Sequence, residues 1–161
     1  MHINPERSDR PDYDLLVRQV ASVLEGERDL TANAAQFSAL VYDTLSDLNW
    51  AGFYFLKTQD ELVLGPFQGK PACIRIKRGR GVCGTTVEKG EAIVVADVHA
   101  FPGHIACDSA SASEIVIPVI KDDRLIGVFD IDSPKADRFS EEDRRGLEAM
   151  LAAFIAATEF A

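Results

Sequence analysis

Residues 113–133 read SEIVIPVIKDDRLIGVFDIDS. Two runs of β-branched and apolar residues flank the polar KDDR, the pattern of an antiparallel hairpin. Successive side chains of a strand point to opposite faces. In LIGVFDID one face therefore carries Leu125, Gly127, Phe129 and Ile131, and the other Ile126, Val128, Asp130 and Asp132. The second stripe begins apolar and ends in two carboxylates. Either the strand end runs out into solvent, or two acids line a pocket and face a cationic or protonatable ligand. Register decides whether Glu114 joins them. A two-residue bend at Asp122–Asp123 pairs Lys121 with Arg124 and sets Glu114 against Ile131, on the other face. A three-residue loop pairs Lys121 with Leu125 and sets Glu114 against Asp132 and Val116 against Asp130. A slip of one residue flips every side chain, so these are exclusive alternatives. Neither loop holds the Gly or Asn favoured in such turns. Opposed acids would be destabilising without a cation or a shared proton.

The rest of the chain supplies what such a hairpin can pack against. Residues up to about Pro11 read as a loose arm. In DYDLLVRQVASVLEGE a helical stripe carries Leu15, Leu16, Val20, Val23 and Leu24. A second helix, DLTANAAQFSALVYDTLSDL, places Phe37, Leu40, Val41, Thr44 and Leu45 at helical spacing. The period then changes. NWAGFYFLK and ELVLGPFQG read as strands joined at TQD, and ACIRIK alternates briefly. RGRGVCGTTVEKGE is a Gly-rich turn running into a short helix, AIVVADV is an apolar strand, and HAFPGHIACDSASA is a long polar loop. FSEEDRRGLEAMLAAFIAATEF closes the chain as a helix, with Ser140 as N-cap and Leu147, Met150, Leu151 and Phe154 on its inner face. This order predicts one α+β domain over 1–161, an antiparallel sheet with helices packed on one side.

The 161 residues suit one domain. A formal charge of -9 excludes the basic footprint of a nucleic-acid binder and disfavours adsorption to an anionic membrane. No apolar run approaches the roughly 20 residues of a spanning helix. The start MHINPERSDRPDYD has no apolar signal core, so the expected location is cytoplasmic. The chain holds three cysteines, an odd number, which argues against a structural disulfide framework in that compartment.

Each cysteine has a plain reading as a small packed side chain and a reactive one. Cys107 lies on the polar loop beside Asp108, three residues after His104. Cys83 sits in the short helix, where apolar packing is natural. Cys73 is followed by Arg75, Lys77 and Arg78, and nearby positive charge favours a thiolate. A metal set of His99, His104, Cys107 and a further cysteine is conceivable, but H-x4-H-x2-C matches no common zinc spacing, and no bound metal or cofactor is expected. Trp50 and Tyr54 are four apart on one strand face, opposite Phe53 and Phe55. They are either ordinary core aromatics or a shared pocket wall.

The segments NWAGFYFL, LVLGPFQGKPACIRIKRGRGVCG, DVHAFPGHIACDSASASEIVIPV and LIGVFDIDS occur in an order that resembles the free methionine-(R)-sulfoxide reductases, which are single GAF domains. The resemblance runs from about Trp50 to the closing helix. It implies a GAF fold with a loop-covered ligand pocket on the sheet face away from the helices. It implies Cys107 as catalytic cysteine, Cys73 as the usual resolving cysteine and Cys83 as a third, resolving or auxiliary thiol. Glu114, Asp130 and Asp132 match the family's acidic substrate-binding and catalytic residues, and Trp50 and Tyr54 its pocket aromatics. It further implies a thioredoxin-like reductant as partner, and a homodimer is usual for GAF domains.

The chemistry fits that implication. Free methionine sulfoxide carries an ammonium, a carboxylate and an S=O group. Carboxylates suit the ammonium through charge-assisted hydrogen bonds. A peptide-bound residue would leave a buried acid without its partner. Reduction needs a thiolate attacking sulfur while oxygen gains a proton, and Asp132 or Glu114, held protonated by a like-charged neighbour, is the candidate donor. The alternative is a GAF module that binds a small ligand without chemistry. It is disfavoured because a binder needs no three thiols.

Overall fold

The computed structural model describes residues 10–104 and 109–160. Cys107 and the arm through residue 9 lie outside them. The described residues form helices α1 (Tyr13–Val23), α2 (Leu30–Thr44), α3 (Gly81–Lys89) and α4 (Glu141–Ala157) and strands β1 (Trp50–Thr58), β2 (Glu61–Gly69), β3 (Arg75–Lys77), β4 (Ile93–Val95), β5 (Ser113–Lys121) and β6 (Arg124–Ser133). The strands make one six-stranded sheet in the order β3-β2-β1-β6-β5-β4, and every neighbouring pair is antiparallel. No helix among the described residues is long and apolar enough to cross a membrane.

Helices α1, α2 and α4 cover one face. Their buried residues, among them Leu16, Val20, Phe37, Val41, Leu147, Met150 and Phe154, pack with Ala51, Phe53, Ile115, Ile117, Phe129 and Ile131 of the sheet. The stripe expected on α1 is narrower than its spacing suggests: Leu16, Val20 and Leu24 are buried, but Leu15 and Val23 are exposed. The i, i+4 series carries the contact, and the residue before each of its ends turns outward. Helix α4 begins as expected at Ser140, whose hydroxyl accepts from the Asp143 backbone while the Asp143 carboxylate accepts from the Ser140 backbone, a reciprocal cap.

Short α3 sits on the opposite face, where Val82, Cys83 and Val87 pack with Trp50, Tyr54, Leu62, Ile76, Val116 and Val128. Gly84 permits that approach, because a Cβ there would lie 2.5 Å from the Lys77 carbonyl oxygen. β3 is only Arg75–Lys77, so Cys73 lies in the loop before it rather than on a strand.

The β5–β6 hairpin combines the two alternatives posed by its sequence. Asp122 and Asp123 both have positive φ, 51° and 62°, the signature of a type I′ two-residue turn, and aspartate tolerates this region better than most residues. Lys121 pairs with Arg124 accordingly. A bulge then follows: Ile120 pairs with Leu125, but Val119 pairs with Gly127. The extra residue shifts the register by one, so Val116 faces Asp130 and Glu114 faces Asp132. The bulge also breaks the strict alternation expected for the strand. Ile126 packs on the helix side and Leu125 on the pocket side.

Candidate active site

The pocket opens on the α3 side of the sheet. Trp50, Tyr54, Lys70–Ala72, Arg80–Cys83, His104, Ser111, Glu114, Asp130 and Asp132 line it. Its floor is the sheet. Trp50 pairs with Asp132 and Gly52 with Asp130 across β1–β6, so the aromatic wall and the acids share neighbouring strands and one face.

The aromatic wall is stacked and hydrogen-bonded. Trp50 and Tyr54 stack at 5.8 Å and 23°, and Trp50 stacks on Phe67 at 5.2 Å and 17°. Their polar ends clamp the loop between β2 and β3. Trp50 Nε1 donates to the Lys70 carbonyl at 3.1 Å, and the Tyr54 hydroxyl donates to the Cys73 carbonyl at 2.9 Å. These two residues, expected only as a possible wall, therefore also position the strand-flanking loop that carries Cys73. Burial, then the Asp130 charge, pushes the Tyr54 phenol upward, so it stays a donor.

Glu114 and Asp130 are buried, and Asp132 is half-buried. Carboxylate oxygens of Glu114 and Asp130 and Sγ of Cys83 all lie within 4.8 Å of one another. Burial and then the Asp132 charge raise the Glu114 carboxyl to about 8, against a smaller opposing effect from Asp130. Asp130 is pushed well above the usual carboxylate range, by burial first and by Glu114 next. At neutral pH the cluster thus retains protons, as opposed acids in a dry site must. Burial, with Asp130 next, also raises the Cys83 thiol. Cys83 is a free, buried thiol, whereas Cys73 is disulfide-bonded.

His104 and Lys70 are the residues that sequence reasoning underweighted. Nε2 of His104 stands 3.7 Å from Oε2 of Glu114, and burial lowers its basicity. From sequence it entered only as a metal candidate beside His99, yet His99 is exposed on the 3-10 turn Val98–Ala100 and does not line the pocket. Lys70 sits directly after Gly69, whose φ of 128° turns β2 into the loop. That Gly-Lys-Pro turn is the one local signal that would have flagged it. The first turn of α3 completes the pocket. No side chain caps that turn, so it presents the positive end of a helix dipole, with Arg80 alongside.

The pocket thus has acids on its floor, aromatics on one wall and the exposed Lys70 and Arg80 at its edge, and the GAF domain family profile matches residues 13–158. The free methionine-R-sulfoxide reductase of Escherichia coli is 52% identical over 87% of this chain and 84% of its own. Among solved structures, fRMsr of Staphylococcus aureus in complex with substrate is 50% identical with a TM-score of 0.87, covering 98% of this chain and 99% of that one. The free methionine-R-sulfoxide reductase of Neisseria meningitidis in complex with its substrate is 44% identical with a TM-score of 0.86, covering 90% and 87%. The chain belongs to the free methionine-R-sulfoxide reductases within the GAF family.

Proposed function

We propose that this protein reduces free L-methionine-(R)-sulfoxide to methionine. The observation that carries the reading is the set of acids formed by buried Glu114 and Asp130 and half-buried Asp132, brought to one pocket face by the bulged hairpin. A dry cluster of acids answers an ammonium, which only a free amino acid offers here. Lys70, Arg80 and the first turn of α3 line the same pocket and suit the substrate carboxylate. Trp50 and Tyr54 suit the methylthio end.

In the proposed cycle the Cys107 thiolate attacks the sulfoxide sulfur, and a pocket carboxyl gives the oxygen its proton. Glu114 is the acid best supported, since a carboxyl titrating near 8 holds its proton at neutral pH. Asp132, its cross-strand neighbour, sustains that state and faces the ammonium with Asp130. Methionine leaves, and Cys107 keeps the oxygen as a sulfenic acid. Cys73 condenses with it, releasing water and forming a disulfide. A thioredoxin-like dithiol then reduces the disulfide and is itself oxidised. The disulfide-bonded state of Cys73 supports it as the resolving thiol. Enclosure and a raised pKa suit Cys83 to an auxiliary role, because a buried neutral thiol is a poor nucleophile.

Incubating the reduced protein with free L-methionine-(R)-sulfoxide tests this. The expected result is loss of two thiols per chain and release of methionine, both abolished in Cys107→Ser. Ligand binding with every thiol intact would instead support a non-catalytic GAF sensor.

A further inference from the structure

Cys83, Glu114 and Asp130 form more than a proton-sharing cluster. Each is buried, and one ligand atom from each, a sulfur and two carboxylate oxygens, lies within 4.8 Å of the others. Asp130 contributes a second, separate signal. Its Oδ1 is fully enclosed and has no hydrogen-bond partner, and Asp130 as a whole is only 7% exposed. An orphaned carboxylate oxygen at such depth is destabilising unless something occupies the space it faces. The reductase reading uses the carboxyls but assigns the Cys83 thiol no bond-making step.

We propose that Cys83, Glu114 and Asp130 form a binding site for a thiophilic divalent cation such as Zn²⁺, which shuts the substrate pocket. One sulfur and two oxygens with an open fourth position is the ligand count of an accessible zinc site. His104 lines the same pocket, with Nε2 3.7 Å from Oε2 of Glu114. The sulfur selects zinc or cadmium over magnesium or calcium, which require six or more oxygen ligands. On binding, the Cys83 S–H bond is replaced by an S–metal bond and the proton passes to solvent. No electron is transferred. The cation then sits on Asp130, which in the proposed function faces the substrate ammonium, and on Glu114, which there gives its proton to the sulfoxide oxygen, so metal and substrate exclude one another. That last step alone rests on the reductase reading.

The test uses a full-length Cys73→Ser, Cys107→Ser variant, in which Cys83 is the only thiol. Titration with Zn²⁺ by calorimetry, and with Co²⁺ by absorption, is expected to show one tight site per chain with a thiolate-to-metal charge-transfer band. Adding Asp130→Asn or, separately, Cys83→Ser is expected to weaken binding by about 100-fold or more, since even outer-shell changes cost 10–100-fold. Glu114→Gln, a milder change, is expected to act in the same direction. Absence of a saturable site, or affinity unchanged in both Asp130→Asn and Cys83→Ser, would overturn the proposal. Saturating free methionine sulfoxide is expected to raise the apparent metal dissociation constant. A tight, Asp130-dependent site that ignores the sulfoxide would sustain the metal site and overturn the ammonium placement instead.

Discussion

On the helix side of the sheet, Phe37, Phe53, Phe129 and Phe154 form a connected aromatic cluster, with centroids 4.7–5.8 Å apart. On the other side, the same strands bury Glu114 and Asp130 beside a thiol. Neighbouring residues of β6 divide between the two: Phe129 and Ile131 face the helices, Asp130 and Asp132 the pocket. The first face packs aromatic and aliphatic side chains densely against one another. The second keeps like charges together in a dry place, which folding alone would not select. The helix-side core therefore carries the stability that the pocket spends on its chemistry.

Four substitutions break or sharpen this contrast. Phe154→Ala empties the centre of the aromatic cluster and is expected to remove roughly 3–5 kcal/mol in urea unfolding, with the activity per folded molecule nearly unchanged. Glu114→Gln is expected to do the reverse, with activity falling about 10²–10⁴-fold while stability rises in alkali. The sign follows from a folded pKa of about 8 above a reference of 4.5. The wild type is fully stable below that reference and loses stability as pH rises toward about 8, when the buried carboxyl must ionise. At about one and a half kcal/mol per unit, less relaxation, the variant gains roughly 2–4 kcal/mol at pH 9 and nothing at pH 4. Thermal melts across that window check it; a wild-type profile parallel to the variant's would refute the shift. Asp130, raised in the same direction, should leave a residual slope of the same sign in the variant.

Tyr54→Phe removes the donor to the Cys73 carbonyl and is expected to cost about 1 kcal/mol. Its larger effect should fall on recycling, with slower disulfide formation in multiple-turnover assays. Asp123→Gly relieves a positive φ and is expected to add a few tenths of a kcal/mol to stability, measurable by chemical denaturation. A loss there would count against the type I′ turn.

The element order, the antiparallel hairpin and the two faces of β1 were legible in the sequence because periodicity records burial. Trp50 and Tyr54 lie together, opposite Phe53 and Phe55, as four-residue spacing requires. The position of Glu114 was not legible. It depends on a turn of two aspartates in the left-handed region and on a bulge at Ile126, and the two together restore a register that either alone would have lost. Neither leaves a compositional mark as clear as glycine or asparagine. Lys70 and His104 were harder still, since they reach the pocket from loops, where no period links sequence position to direction.

The claim at the centre of this account is that the buried acids exist for a free ammonium. The direct measurement compares kcat/KM for free L-methionine-(R)-sulfoxide and for its N-acetyl derivative, which keeps the sulfoxide and loses the charge. The account predicts a preference for the free amino acid of roughly 10⁴-fold, because the acetylated substrate leaves buried carboxyls unpaired. Comparable values for the two substrates would contradict it.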